Sequence, residues 1–207
     1  PPTRGTPLRA AVSSFSYNGT TAHVVIDAPT PRPPPPSSVG LKGHPILLSA
    51  KSDEQLTAQA AQLLRHVDGV LSRGEPDPAT YLRDLAYTLQ VGRDGMVERV
   101  GFLVTSLSSL CERLRQIASG DMSGVGRANV RAARRRLDGE RPSEAAQRAR
   151  RVEDAFTAGD PDTLVAAWLE GVEIDWARLY FDAAPRRISL PTYPFAKRRF
   201  WFSDSPP

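Results

Sequence analysis

The chain has 207 residues, of which 40% are hydrophobic, and this suffices for one modest core but not for two large ones. The net charge of +4 comes mainly from arginine, and no apolar run approaches the ~20 residues that span a bilayer. The N-terminus lacks a secretory signal, and a single cysteine excludes a disulfide framework. We therefore expect a cytoplasmic fragment of a longer protein, with one compact α/β domain, extended arms and no membrane contact.

The N-terminal part of the chain predicts two short strands. Tyr17–Gly19 is a turn signal between two apolar runs, Ala10–Val12 and Ala22–Ile26. Prolines then dominate the sequence, where they fix φ and remove backbone hydrogen-bond donors. Residues 29–40 are therefore expected to form a stiff, proline-rich spacer.

Residues 41–130 carry the most regular pattern of the chain. An apolar run predicts a strand, after which Ser52 begins a capping box that opens a helix. Asp77 and the proline after it mark the start of a second helix. A further strand, a helix capped by Ser106 and a short third strand follow. This order predicts an α/β (α+β) fold, with a small three-stranded sheet covered by helices.

The remaining sequence divides into two parts. Residues 131–160 are rich in arginine and lack a continuous apolar stripe, so we expect a low-order segment that is weakly helical after Ser143. Residues 161–207 begin with a helix capped by Asp160, and Trp168 and Trp176 are expected in the core. The chain then ends in an extended arm whose aromatic residues need a surface to cover them: Tyr193, Phe195, Phe200 and Trp201.

No catalytic, cofactor-binding or metal site emerges from the sequence. Cys111 lies on the apolar face of a predicted helix, which favours core packing over a role as a nucleophile. The three histidines lack the cysteine or carboxylate spacing of a metal site, and we find no P-loop or nucleophile elbow. We expect a chain that is not an enzyme by itself and that binds no cofactor.

The arginine run between Arg131 and Arg151 leaves nucleic-acid binding as an alternative function. Such binding usually adds aromatic stacking residues or a recognisable fold, and neither accompanies this run. A solvated or acid-facing surface is favoured instead, and no nucleic-acid partner is expected.

Three stretches resemble parts of modular polyketide synthases. Ser13–Ile26, with the letters SSFSYNGTTAHVVI, resembles the final strand-turn-strand of a ketosynthase. Pro45–Ser52 together with Asp84–Arg93 resembles the linker that follows ketosynthases. Trp168–Trp176 together with Arg187–Trp201 resembles the segment that follows an acyltransferase and runs back over the linker.

The resemblance implies a synthase whose acyltransferase acts in trans, of the kind that makes polyketide antibiotics. Residues 131–163 are too few for the acyltransferase domain that would otherwise be inserted there. Residues 1–28 would then be the last strands of the ketosynthase, and residues 41–130 a linker or docking domain. The implied role is a non-catalytic scaffold that helps to recruit a separate acyltransferase. The alternative is that the chain is part of a ketosynthase enzyme whose catalytic residues lie outside it.

The resemblance also implies the partners and their contact residues. The partners are the ketosynthase body, the free acyltransferase and the acyl carrier protein, with phosphopantetheine only on the carrier. The arm residues are expected to contact the ketosynthase rather than the linker and to be mobile in the isolated chain: Tyr193, Phe195, Phe200 and Trp201. Candidate rim charges of an acyltransferase docking surface are Arg93, Arg113 and Arg115.

Overall fold

The chain folds as two units that divide between Pro34 and Pro35. The computed structural model describes residues 8–28, 43–74, 77–180 and 185–197. None of the helices in these ranges is long and apolar enough to cross a membrane. The predicted proline-rich spacer, residues 29–40, lies outside the described residues.

The first unit contains a β-hairpin, as the sequence predicts. Strands β1 (Arg9–Phe15) and β2 (Thr21–Asp27) pair antiparallel. Gly19 lies in the turn with φ of 86°, a left-handed conformation that glycine adopts without steric cost. Every residue of both strands is exposed, and apolar side chains such as Val12 and Val25 are more than half exposed, at 57% and 56%. The hairpin therefore presents apolar surface to solvent.

The second unit is built on a three-stranded antiparallel sheet. Its order is β3 (His44–Ala50), β4 (Glu98–Val104) and β5 (Gly126–Asn129), with β4 in the centre. Side chains of β3 alternate between two cores, because Ile46 belongs to one cluster and Leu47 to the other. The sheet is therefore covered on both faces, and the predicted fold class is confirmed.

Three helices share the first core with β3 and β4: α1 (Asp53–Leu71), α2 (Pro78–Val91) and α3 (Leu107–Ala118). Each follows the N-cap that the sequence predicts, whose side chain accepts a hydrogen bond from the backbone N–H three residues later: Ser52, Asp77 and Ser106. Cys111 is 4% exposed within this core, and burial raises the pKa of its thiol. Its predicted packing role is confirmed.

The second core lies on the other face of the sheet. It contains residues of α5 (Pro142–Ala158), of α6 (Pro161–Leu169) and of a 3₁₀ helix (Trp176–Tyr180). Trp168 and Trp176 are 7% and 4% exposed, which confirms their predicted core positions.

A pair of glycines lets α6 lie directly on the sheet. Gly101 of β4 is opposite Gly126 of β5. A Cβ on Gly101 would lie 2.6 Å from Val165 Cγ1, and a Cβ on Gly126 would lie 2.5 Å from Leu169 Cδ1. Both distances are shorter than any stable contact, so α6 sits this close only because both strands lack side chains there.

Residues 131–160 contain more helix than the expected weak helix after Ser143. They contain most of α4 (Val130–Asp138) and all of α5. Within α5 only Val152 and Ala155 are buried, which explains why its sequence has no apolar stripe that predicts a helix. Ion pairs attach α5 to its neighbours instead, with Arg151 paired to Glu170 at 2.7 Å. Gly159, at φ of 60°, ends the helix in the left-handed conformation typical of a C-terminal cap.

Candidate functional site

Helix α2 carries polar side chains on its buried face. Asp84 and Thr88, one helical turn apart, are 6% and 3% exposed, and Gln90 is 6% exposed. Buried polar groups destabilise a fold unless they find hydrogen-bond partners. The partners of these three side chains come from β3, from Tyr180 of the 3₁₀ helix and from the chain after that helix.

The main partner is residues 185–193, here called the strap. The backbone N–H of Arg186 donates to Asp84 Oδ1 at 3.0 Å, and the backbone N–H of Ile188 donates to Thr88 Oγ1 at 3.0 Å. The Thr88 hydroxyl in turn donates to the backbone oxygen of Asp84 at 2.7 Å. From Asp84 to Thr88 the helix rises about 6 Å, and from Arg186 to Ile188 an extended chain advances about 6.7 Å. The spacing of the acceptors therefore matches the spacing of the N–H groups. The strap thus runs alongside α2, and the helix binds the N–H groups of Arg186 and Ile188, which are two residues apart.

Further contacts continue this alignment past the end of α2. Arg93 Nη2 donates to the backbone oxygen of Pro191 at 3.2 Å. Tyr193 Oη accepts the backbone N–H of Lys51, at the end of β3, at 3.0 Å. Between them Leu190 is 8% exposed and belongs to the first core. The strap is therefore bound along its whole length.

Gln90 joins two other parts of the second unit. Its Nε2 donates to the backbone oxygen of Pro45 at 2.8 Å, and its Oε1 accepts the hydroxyl of Tyr180 at 2.9 Å. Tyr180 is buried and meets the ring of Tyr87 edge-on, with centroids 5.0 Å apart. Burial raises the pKa of Tyr180 to about 12, so its hydroxyl remains a donor at neutral pH.

Arg99 of β4 joins α6 to the sheet in a similar way. Its Nη1 donates to the backbone oxygen of Trp168 at 2.6 Å, and its Nε donates to that of Met96 at 3.0 Å. The guanidinium also lies 4.6 Å from the centroid of the Trp168 ring, a cation–π contact. Arg99 is 3% exposed, so these contacts compensate for the loss of its hydration.

Asp84, Thr88 and Arg93 form a groove that holds the strap. Asp84 dominates the electrostatics of this groove. Burial raises the pKa of its carboxyl, while the hydrogen bond from the Arg186 N–H and the nearby Arg83 guanidinium lower it in part. The Arg83 Nε lies 3.9 Å from Asp84 Oδ1. The carboxylate is thus a strong acceptor held in a place that disfavours its charge.

Tyr193 of the aromatic arm has partners within its own chain. Its hydroxyl accepts the Lys51 N–H and its ring packs on the first core, while its expected contact with a ketosynthase stays a prediction. Lys51 follows the last residue of β3, and the tyrosine hydroxyl accepts its backbone N–H. Phe195 differs, since it is 78% exposed. Phe200 and Trp201 lie outside the described residues.

The three candidate docking arginines do not form one group. Arg93 binds the strap, which gives it a structural role that the sequence analysis missed. Arg113 donates to Gln116 Oε1 at 3.0 Å, and its guanidinium lies close above Gly124. Arg115 is exposed and lies 3.9 Å from Asp68. Positions 113 and 115 are two apart on α3, so their side chains leave the helix on different sides.

The groove binds backbone N–H and carbonyl groups of the strap rather than reactive chemical groups. Among the described residues no cluster of histidine, cysteine or acidic side chains is arranged to hold a metal ion. The residues that shape the groove are Asp84, Thr88 and Arg93, all within the Asp84–Arg93 stretch, and the strap begins just before Arg187. In the sequence, the signal for this binding role was a pair of polar residues, Asp84 and Thr88, four positions apart within an apolar stripe.

Comparison with known proteins agrees with this arrangement. Residues 47–121 match the family model described as RhiE-like, KS-MAT linker domain. Polyketide synthase PksN of Bacillus subtilis (strain 168) is 36% identical over 207 residues, covering 98% of this chain and 4% of that protein. Polyketide synthase ThaG of Burkholderia thailandensis is 37% identical over 205 residues, covering 93% of this chain and 3% of that protein. The chain thus spans a small fraction of these relatives.

Solved ketosynthases have the same fold over nearly the whole chain. A ketosynthase from module 6 of the bacillaene synthase of Bacillus subtilis 168 gives a TM-score of 0.67 at 32% identity, covering 98% of this chain and 35% of that chain. A ketosynthase from module 1 of the bacillaene synthase of Bacillus amyloliquefaciens FZB42 gives 0.62 at 30% identity, covering 94% and 31%.

Proposed function

This chain belongs to the linker region of polyketide synthases, and its residues 47–121 match the RhiE-like, KS-MAT linker domain. From that premise we propose that it is a non-catalytic scaffold in a synthase whose acyltransferase acts in trans. The observation that carries the proposal is the stretch between β5 and α6. It holds two helices, α4 and α5, over residues 130–158. A folded domain needs about 50 residues or more, so this stretch leaves no room for an acyltransferase.

The scaffold has a surface for the ketosynthase body. The hairpin exposes apolar side chains such as Val12 and Val25, and Phe195 is also exposed. Exposed apolar surface of this extent marks a protein interface. The solved ketosynthases contain this region within longer chains, which supports contact with the ketosynthase body through these residues and, in the arm, through Phe200 and Trp201.

The docking surface for a free acyltransferase is the linker domain, residues 41–130. A rigid helix face can present a fixed surface, whereas a proline-rich spacer mainly sets distance. Of the three rim candidates, Arg113 and Arg115 remain, because Arg93 binds the strap. The arginines that follow the linker domain strengthen attraction to an acidic partner, and the loaded carrier protein is the substrate that both enzymes share.

Titration calorimetry of the full chain with its cognate acyltransferase tests this role. We expect saturable binding whose affinity falls as salt rises, because charges at the rim steer the encounter and salt screens them. Arg115→Glu should weaken the affinity about 3-fold to 10-fold, an ordinary effect for a rim charge. Arg187→Glu is the matched control, since it reverses an exposed charge outside the linker domain.

The result also discriminates between a docking domain and a spacer. Absence of binding by the folded chain would reduce its role to setting distance beside the ketosynthase. Equal losses for Arg115→Glu and Arg187→Glu would show non-specific attraction instead of a docking surface on α3.

A further inference from the structure

The strap is recognised mainly through its backbone. Side chains of Asp84, Thr88 and Arg93 bind two N–H groups and one carbonyl of the strap. Every peptide offers such groups, provided that its course is extended where they bind. Four side chains add to the recognition: Pro185 and Leu190, which are buried, Ile188, which packs on the first core, and Tyr193, whose hydroxyl accepts the Lys51 N–H.

The groove is also suited to exist without its occupant. The groups that bind the strap are a carboxylate, a hydroxyl and a guanidinium, and water can bind each of them when the strap leaves. An apolar groove would have no such replacement. On the strap, Arg186, Arg187 and Ser189 are exposed, so the segment lies at the surface rather than inside the core. Ordering its nine residues costs conformational entropy that these few contacts must offset.

We propose that the groove on α2 is a peptide-binding site and that the strap occupies it reversibly. Its ligand is an extended segment with two free N–H groups spaced by two residues, then a leucine and a tyrosine at the positions of Leu190 and Tyr193. The same segment supplied as a separate peptide replaces the strap. This recognition is independent of any contact with an acyltransferase or a ketosynthase.

A labelled peptide with the sequence of residues 185–197 tests the proposal on the full chain. The tethered strap competes at a high effective concentration, so the wild-type chain should bind the peptide weakly. Ile188→Pro removes one strap N–H together with the Ile188 side chain, which packs on the first core, and Leu190→Asp removes the buried contact; neither changes Asp84, Thr88 or Arg93. Fluorescence anisotropy should show at least about 10-fold tighter binding to either variant than to the wild type.

A second peptide, N-methylated at the positions of Arg186 and Ile188, is the control and should not bind. Should either variant fail to fold, the wild-type chain with millimolar unmodified peptide replaces it, and the amides of residues 186 and 188 should then exchange faster. The proposal is overturned if a folded variant with a released strap does not bind the peptide, or if the N-methylated peptide binds equally well. Unchanged amide exchange at millimolar peptide would overturn it as well.

Discussion

Tyr193 and Phe195 lie two residues apart but have different surroundings. The tyrosine binds Lys51 and packs on the first core, whereas Phe195 is 78% exposed and meets the Tyr193 ring edge-on, with centroids 5.1 Å apart. A side chain contributes to stability through what it buries, so the two should respond differently to truncation.

We expect Tyr193→Ala to lower the free energy of unfolding by about 1–3 kcal/mol, from lost burial and an unsatisfied N–H group on Lys51. Phe195→Ala should change it by less than about 0.5 kcal/mol. Urea denaturation of the isolated chain measures both. An equal loss for the two variants would mean that the arm is attached beyond the strap.

Asp84 should give the chain a recognisable pH dependence. Burial raises the pKa of its carboxyl above the ordinary value of 3.8, so the folded state binds the proton more tightly than the unfolded state. The contribution of Asp84 to the free energy of unfolding therefore falls as pH rises from that ordinary value through the raised one. Asp84→Asn keeps an oxygen for the Arg186 N–H and removes the charge.

The asparagine variant should therefore gain stability relative to the wild type as pH rises over this window, and the gain should then level off. Urea titrations at a series of pH values measure it, with Asp94→Asn at an exposed position as the control. If the wild type instead became more stable relative to the variant as pH rises, Arg83 and the Arg186 N–H would lower the pKa of Asp84 by more than burial raises it.

At the scale of elements, the contact between α6 and the sheet depends on two absent side chains. Gly101→Ala or Gly126→Ala would put a methyl group against Val165 or Leu169 and displace α6. Overpacking of this kind costs about 1–3 kcal/mol. In contrast, Gly69→Ala in α1 meets nothing closer than 3.8 Å and should stabilise by about 1 kcal/mol. Thermal unfolding of the three variants tests the contrast, and losses at all three positions would contradict it.

The elements that the sequence predicts well are those with both a cap and an apolar stripe. Ser52, Asp77, Ser106 and Asp160 each precede such a helix, and each caps it in the structure. Helix α5 was expected only as weak helix, because its sequence lacks an apolar stripe and its ion pairs, such as Arg178 with Glu153, join residues that are distant in sequence. Local periodicity carries no signal for such pairs.

The groove was missed for a related reason. Asp84 and Thr88 have the appearance of ordinary polar positions on α2, and their partners lie about 100 residues later in the strap. Sequence spacing predicts which residues share a face of one helix, but not which distant backbone group will need an acceptor. The aromatic arm was assigned to a partner because a small domain covers few aromatics, and the hydrogen bond of Tyr193 to the N–H of Lys51, 142 residues earlier, has no signal in the sequence.

At the scale of the whole molecule, the two units differ in how they are stabilised. The second unit has two cores that cover both faces of its sheet, whereas all strand residues of the hairpin are exposed. A two-stranded hairpin without a packed face is marginally stable in water. We therefore expect the hairpin to be stabilised when its apolar residues pack against a ketosynthase body.

Hydrogen exchange should reveal this difference directly. In the isolated chain, amides of β1 and β2 should exchange at least about 100-fold faster than those of β3, since local opening is easiest where little is buried. Adding a ketosynthase body that lacks these two strands should slow exchange in the hairpin and leave β3 unchanged. Val25→Asp is the control, because it places a charge where apolar contact is expected, and its hairpin should stay unprotected. Hairpin amides as protected as those of β3 in the isolated chain would show that the hairpin is stable without a partner.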